Sequence, residues 1–215
     1  MTTHKTAQIL KASLNIVSTL IQHLERDEVV LLPMDTVYSL VVRGDRTAAI
    51  AALRRLKQFD TDQPLAILTR GDRASEVAVL KKSAKQMMSY FPCPITAIVK
   101  AHPQLNPEIT QGFSNIFVSF PDRFIYDLIG AIPFPLVCTS AKVGTEPIVS
   151  FEAAKRYFSD RVSLIVDGGR SRYGRRGTLI DFTLEPPTIM NFGPISVDDL
   201  RPILPDIILA SHLMK

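Results

Sequence analysis

Four polar stretches carry the side chains most able to do chemistry. The first is Asp35-Thr36-Val37-Tyr38, a carboxylate, a hydroxyl and a phenol set between the apolar runs Val29–Leu32 and Tyr38–Val42. A core gains nothing from such groups, so they are candidates for holding a small polar molecule, with Asp35 bracing the turn or facing an ammonium group. The bland alternative is an Asx-type turn that satisfies only nearby N–H groups. The second stretch is Lys57 with the polar run Gln58–Gln63. A lysine ending a helix complements the helix dipole or contacts a phosphate or carboxylate.

The third stretch, Thr139-Ser140-Ala141-Lys142-Val143-Gly144, follows an apolar run and groups hydroxyls, an ammonium and a glycine. Its backbone N–H groups could cradle a phosphate, though it matches neither a Walker A loop nor GxGxxG, and a plain strand exit is the alternative. The fourth, Asp167–Thr178, packs Arg170, Arg172, Arg175 and Arg176 among four glycines and Tyr173. It suits phosphate or RNA-backbone contact. A solvated mobile loop and a closing lid are its alternatives. No Ser-His-Asp set or Cys-His pair is visible, and the four histidines are scattered away from metal-ligand spacing.

These stretches must be held by elements that the apolar spacing predicts. Ile9 to Leu24 recur at three- and four-residue steps, which predicts one amphipathic helix ending near Arg26. Strands are predicted at Val29–Leu32, Tyr38–Val42, Pro64–Leu68, Ile95–Val99, Ile116–Ser119, Leu136–Thr139, Leu164–Val166, Thr178–Asp181 and Thr188–Asn191. Helices are predicted over Thr47–Lys57 behind Asp45, over Glu76–Phe91, over Asp122–Ile129, and over Phe151–Phe158 behind Ser150. Pro103–Phe113 reads as a loop with a short helical turn, and Ile207–Leu213 as a last apolar segment. Strands and helices interleave without a linker or repeat, so one α/β or α+β domain over 1–215 with a mixed sheet is expected.

Composition narrows the classes. The chain is 46% hydrophobic and 21% charged, enough apolar surface for a large core and unlike a disordered chain. A net charge of +4 and a pI near 9.1 permit nucleic-acid or nucleotide partners without establishing them. Cys93 and Cys138 lack CxxC spacing and read as buried free thiols in a reducing compartment. With no secretory pattern and no apolar run near ~20 residues, a cytoplasmic protein away from membranes is expected.

Taken in order, the stretches resemble the YrdC/YciO family. The carrying residues are Leu32-Pro33-Met34-Asp35-Thr36-Val37-Tyr38-Ser39-Leu40, Lys57, Gln63-Pro64-Leu65, Pro92-Cys93-Pro94-Ile95-Thr96 and Ser119-Phe120-Pro121. They continue with Ser140-Ala141-Lys142-Val143-Gly144, Asp167-Gly168-Gly169 and Gly177-Thr178-Leu179-Ile180-Asp181, spanning about 8–200. The resemblance implies a three-layer fold, a twisted mixed sheet flanked by helices around a central basic cavity. It implies a nucleotidyltransferase that makes threonylcarbamoyl-AMP from threonine, bicarbonate and ATP with Mg2+, for tRNA modification. No resident metal is implied. The catalytic positions carried over are Lys57, Ser140 and Thr178, and the substrate contacts are Asp35, Thr36, Tyr38, Gln63 and Ser119. Phosphate contacts fall on Lys57, Ser140, Lys142, Asn191, Arg170, Arg172, Arg175 and Arg176.

The chain departs from the family pattern where charge matters. Family arginines are replaced by Phe59, Ser119 and Asn191, a lysine by Gln63, an asparagine by Lys142, a serine by Gly177 and a threonine by Met34. One charged contact to a phosphoryl group is worth on the order of 3 kcal/mol, or ~100-fold in rate. Three losses therefore require replacement cations, for which Lys142 and the loop arginines are the candidates, or leave an inactive module that binds double-stranded RNA, tRNA or a nucleotide. A related adenylation of a different acid is the third possibility.

Overall fold

Period-two alternation in the strands divides the apolar residues between two cores. The computed structural model describes residues 6–57, 64–90, 92–120 and 122–214. Its first half runs β1 (Gln8–Lys11), α1 (Val17–Glu25), β2 (Val30–Leu32), β3 (Ser39–Arg43), α2 (Thr47–Lys57), β4 (Ala66–Leu68), β5 (Ala78–Val79), α3 (Lys82–Met88) and β6 (Ile95–Ala101). Next come α4 (Pro107–Thr110), β7 (Asn115–Phe120), α5 (Arg123–Gly130), β8 (Leu136–Ser140), β9 (Lys142–Val143), β10 (Glu146–Pro147) and α6 (Phe151–Phe158). The last are β11 (Leu164–Asp167), β12 (Thr178–Asp181), β13 (Thr188–Asn191), α7 (Val197–Leu200) and β14 (Ile208–Leu209).

One mixed sheet has the order β1-β11-β2-β3-β8-β4-β7-β6-β12-β13-β14, with β5 added to β6, while β9 and β10 form a separate hairpin. In β2, Leu31 enters one core and Val30 and Leu32 the other; β8 and β11 split likewise at Val137 and Ile165. The first core gathers residues of α2, α3, α4, α6 and α7, and the second gathers those of α1 and α5. This is the expected three-layer arrangement with a mixed sheet.

The buried sheet residues of the second core come from β2, β3, β4, β8 and β11, with Leu10 of β1 packed against them. On β6, β7 and β12 the residues facing the same way, Thr96, Ile98, Ser119 and Leu179, are half-exposed. Helices therefore cover one half of that face and leave the other half open.

Some expectations are corrected. The single helix from Ile9 to Leu24 is instead β1, a 3-10 turn at Leu14–Ile16, and α1. Gln8–Lys11 pairs in parallel with β11 at the sheet edge, so backbone bonding overrides the helical spacing. In place of one helix over Glu76–Phe91, a 3-10 turn at Gly71–Glu76 is followed by β5 and a shorter α3, because Ala78 and Val79 pair with β6. The stretch after Ser140 forms the β9–β10 hairpin. Asp45 accepts from Arg43 Nε and Nη2 at 2.6 and 2.9 Å, leaving it committed to an ion pair before α2. Ser150 caps α6 as expected, its hydroxyl accepting from Ala153 N.

Candidate functional site

The Pro33–Tyr38 turn joins β2 to β3 and is fastened on both sides. Met34 buries in the second core, on the side of α1 and α5. Asp35 N donates to Asp122 Oδ2 at 2.7 Å, and Asp122 Oδ1 caps α5 by accepting from Ile125 N at 2.9 Å. Asp35 O accepts from Tyr173 N at 2.8 Å. Burial, then the charge of Asp122, pushes the Asp35 carboxyl up to about 6, against the pull of the Thr36 N–H and of Arg172. Its Oδ1 is buried without a hydrogen-bond partner. Burial and the Asp35 charge push the nearby Cys93 thiol up to about 12.

Tyr38 is fully buried, and both functions of its hydroxyl are used: it donates to Gly169 O at 2.9 Å and accepts from Gly168 N at 3.2 Å. The phenol expected to contact substrate thus holds the glycine-rich segment in place. Thr36, at the bend, is half-buried.

A cationic group forms where α2 meets the end of β8. Ala49, Ile50 and Leu53 bury one side of α2 in the first core, and the helix delivers Lys57 to Ser140, whose carbonyl accepts from Lys57 Nζ. Burial, then the neighbouring charges of Lys142 and Arg176, pulls the Lys57 ammonium down to about 8. Lys57, Ser140, Lys142 and Arg176 are thereby brought together. Lys57 is half-buried while Lys142 and Arg176 are exposed; like charges so close repel one another, and an anion relieves that repulsion.

The arginine segment spans these two groups. Gly169 O accepts from Phe151 N at 2.9 Å, Ser171 N donates to Val149 O at 2.8 Å, and Arg170 bridges Ser150 in antiparallel fashion. A Cβ at Gly168 would lie 2.6 Å from the Pro33 ring, so only glycine lets the segment seat on the turn. These ties make the segment a fixed roof over the turn. Arg172 stacks on Tyr173 near Asp35 and the charge of Arg176 acts on Lys57, while all four arginines, Arg170, Arg172, Arg175 and Arg176, are exposed.

The remaining predicted residues sit on or behind the open half of the sheet. Ser119 pairs with Thr96 across β7 and β6, and Asn191 pairs exposed with Leu179. Thr178 points the other way: it is fully buried, and its hydroxyl donates to Ile195 O at 2.7 Å and accepts from Ile195 N at 3.1 Å. The expected catalytic hydroxyl therefore anchors the chain after β13, where a Cβ at Gly193 would come within 2.1 Å of Thr178 N. Gln63 and Phe59 lie outside the described residues. Register sets Ser119 level with Leu136 through Leu68, at the opposite strand end from Ser140. The roof and the Asp35 turn link the two ends. Cavities of about 490 and 510 Å³, by Thr69 and Phe134 and by His23 and Arg161, lie apart from every predicted site residue.

Asp122 and Cys93 are site neighbours that sequence spacing did not single out. Asp122 was legible only as the start of a helix, and Cys93 only as an apolar thiol within the Pro92–Thr96 motif.

The chain is thus a three-layer α/β protein with a helix-free half-face and a cationic strand-end cluster. The family profile described as Sua5/YciO/YrdC, Telomere recombination, matches residues 22–193, and the chain belongs to that family. The threonylcarbamoyl-AMP synthase of Schizosaccharomyces pombe is 26% identical over 205 residues, covering 81% of this chain and 50% of that protein. The Bacillus subtilis protein of the same name is 26% identical over 187 residues, 84% of this chain and 54% of its own. A Mycobacterium leprae relative is 24% identical over 192 residues, 87% of each chain. The structure of Pyrococcus abyssi Sua5 complexed with L-threonine superposes at a TM-score of 0.87 with 22% identity, over 97% of this chain and 64% of that one. Escherichia coli YciO superposes at 0.79 with 18% identity, over 92% and 100%. The chain thus spans about half to two thirds of several relatives and nearly all of others. Among the described residues, no helix is long and apolar enough to cross a membrane.

Proposed function

We propose that this protein is a threonylcarbamoyl-AMP synthase-like nucleotidyltransferase with a rebuilt phosphate clamp. The observation that carries this reading is the gathering of Lys57, Lys142 and Arg176 around the end of β8, beside a roofed turn that retains Asp35 and Thr36. Family membership and the synthase relatives support the reaction class.

Threonine would enter by the Asp35 turn, its ammonium toward the carboxylate, with Thr36 and Ser119 as polar neighbours. Its amine, once deprotonated, adds to bicarbonate with loss of water to give a carbamate. A carbamate oxygen then attacks the α-phosphorus of ATP, which enters as its magnesium complex, and the bond to the bridging oxygen breaks to release pyrophosphate. Lys57, Lys142 and Arg176 would hold the phosphates and stabilise the charge gathering on the leaving group. Lys142 and Arg176 then stand in for family arginines lost at Phe59, Ser119 and Asn191. Lysine is a poorer bidentate partner than arginine, so a slower enzyme than an arginine-bearing one is expected.

The test is pyrophosphate release from threonine, bicarbonate and ATP. Activity that falls ~100-fold in Lys57→Ala supports the clamp; release no greater than that of the variant removes it. A second reading, a cytoplasmic RNA- or tRNA-binding module without adenylation, is favoured by the exposure of Arg170, Arg172, Arg175 and Arg176 on the roof. It predicts binding to double-stranded RNA that weakens steeply with salt. Absence of binding at low salt counts against it.

A further inference from the structure

We infer that Asp122 is a positioning residue of the site: it ties the N-terminus of α5 to the Pro33–Tyr38 turn and so fixes the Asp35 carboxyl opposite Arg172 of the roof. This rests on reading that turn as part of the ligand site.

The geometry leaves Asp122 two separate tasks. One carboxylate oxygen, Oδ1, caps α5 through Ile125 N at 2.9 Å. The other, Oδ2, accepts from the backbone N of Asp35 at 2.7 Å, 87 residues away in sequence. Capping needs only one acceptor, and serine or asparagine would supply it. The second oxygen does what capping does not require. It orients the Met34–Asp35 peptide, and the next peptide, Asp35–Thr36, is set by Tyr173 N donating to Asp35 O at 2.8 Å. The Asp35 turn therefore hangs between α5 and the roof.

The second consequence is electrostatic. Asp122 is itself mostly buried, and its carboxyl is raised by burial while the N–H groups of Ile125, Asp35 and Phe124 pull it down. Where it carries charge, it repels charge on Asp35. The groups facing Asp35 are Asp122 from α5, Arg172 from the roof, Cys93 ahead of β6, and the N–H of Thr36 within the turn. Its buried Oδ1 lacks a partner, and its charge state answers first to burial, then to Asp122, with the Thr36 N–H and Arg172 opposing them. A residue that sets both the place and the charge of a ligand-facing carboxyl acts on the reaction without touching substrate.

Asp122→Asn separates the tasks, because an amide offers a single acceptor oxygen. The cap on Ile125 N keeps it, and the bond from Asp35 N is lost. The experiment follows the Asp35 side-chain carboxyl carbon and backbone amide by NMR from pH 4 to 8, in wild type and in Asp122→Asn, with Asp35→Asn giving the assignment. In wild type, the Asp35 amide is expected to be protected from hydrogen exchange. In Asp122→Asn, the Asp35 midpoint is expected to fall by about half a unit or more, with the amide deprotected. The Michaelis constant for threonine in pyrophosphate release should rise more than kcat falls. An unprotected Asp35 amide in wild type overturns the proposal whether or not the variant folds, and so does an Asp35 midpoint unmoved in a folded variant. Lack of pyrophosphate release by wild type refutes the proposed reaction alone, because the NMR readouts need no substrate.

Discussion

The two halves of one sheet face behave differently although the same alternation builds both. On β2, β3, β4, β8 and β11, the face toward α1 and α5 is mostly buried and apolar, with Val30, Leu32, Val41, Leu68, Leu136, Cys138, Leu164 and Val166, and polar residues only at strand ends, Ser39, Arg43 and Ser140. On β6, β7 and β12 the same face shows Thr96, Ser119 and Leu179, half-exposed. Where a helix covers the sheet, each position contributes burial. Where it does not, positions are released from packing, and polar side chains cost little there. The roof and the Asp35 turn stand at the border between the halves, so ligand groups can rest on a rigid core.

The largest effects should separate the halves most cleanly. Ile125→Ala, in the covered half, should cost about 2–5 kcal/mol by leaving a cavity against α5, as read from denaturant midpoints. Lys57→Ala should leave stability close to wild type and lower pyrophosphate release ~100-fold. If instead it unfolds the chain while Ile125→Ala does not, the division into packing and functional regions fails.

A smaller effect tests the border. Asp35 has a folded midpoint near 6, above its ordinary value of 3.8. The folded state therefore holds the proton more tightly than the unfolded one. Stability from this group is present below about pH 4 and falls as pH rises through 6. Asp35→Asn should accordingly stabilise the protein at pH 8, by about 1–2 kcal/mol after allowing for solvent screening, and much less at pH 4. Thermal melts at the two pH values decide it; equal gains would show that charge is not the cause.

Lys57 runs with the opposite sign. Its midpoint near 8 lies below 10.5, so the folded state releases the proton more readily, and this group's cost to stability fades as pH rises from 8 to 10. Pyrophosphate binding should weaken over the same rise as the ammonium is lost, and calorimetry at pH 7 and 9 would show it. A pH-independent affinity would remove Lys57 from the clamp. The smallest effect is expected at Ser119→Ala on the open face, within about 0.5 kcal/mol of wild-type stability.

Much of the outline was legible in the sequence. α2 is found at its predicted bounds, α6 carries its predicted serine cap, and β12 and β13 fall where apolar runs between turn residues placed them. The ordered motifs identified the family because its turns recur in a fixed sequence. Less legible were elements decided by partners: Gln8–Lys11 is a strand because β11 lies beside it, and Ala78–Val79 because β6 does. Side-chain direction was equally hidden. Tyr38 and Thr178 look like displayed hydroxyls in the chain, yet both are buried, with donor and acceptor already used.

The sequence by itself determined the layering, because alternating apolar residues in β-strands allow few ways to bury both faces. It also determined which residue types were available for binding. Only the tertiary structure decided which of them meet. Lys57, Lys142 and Arg176 converge because α2, the β9 hairpin and the roof end at one place, and Asp35 acquires its raised carboxyl from a residue 87 positions away. Charge and hydrogen bonding act through space over a few ångströms, and distance along the chain carries no record of that.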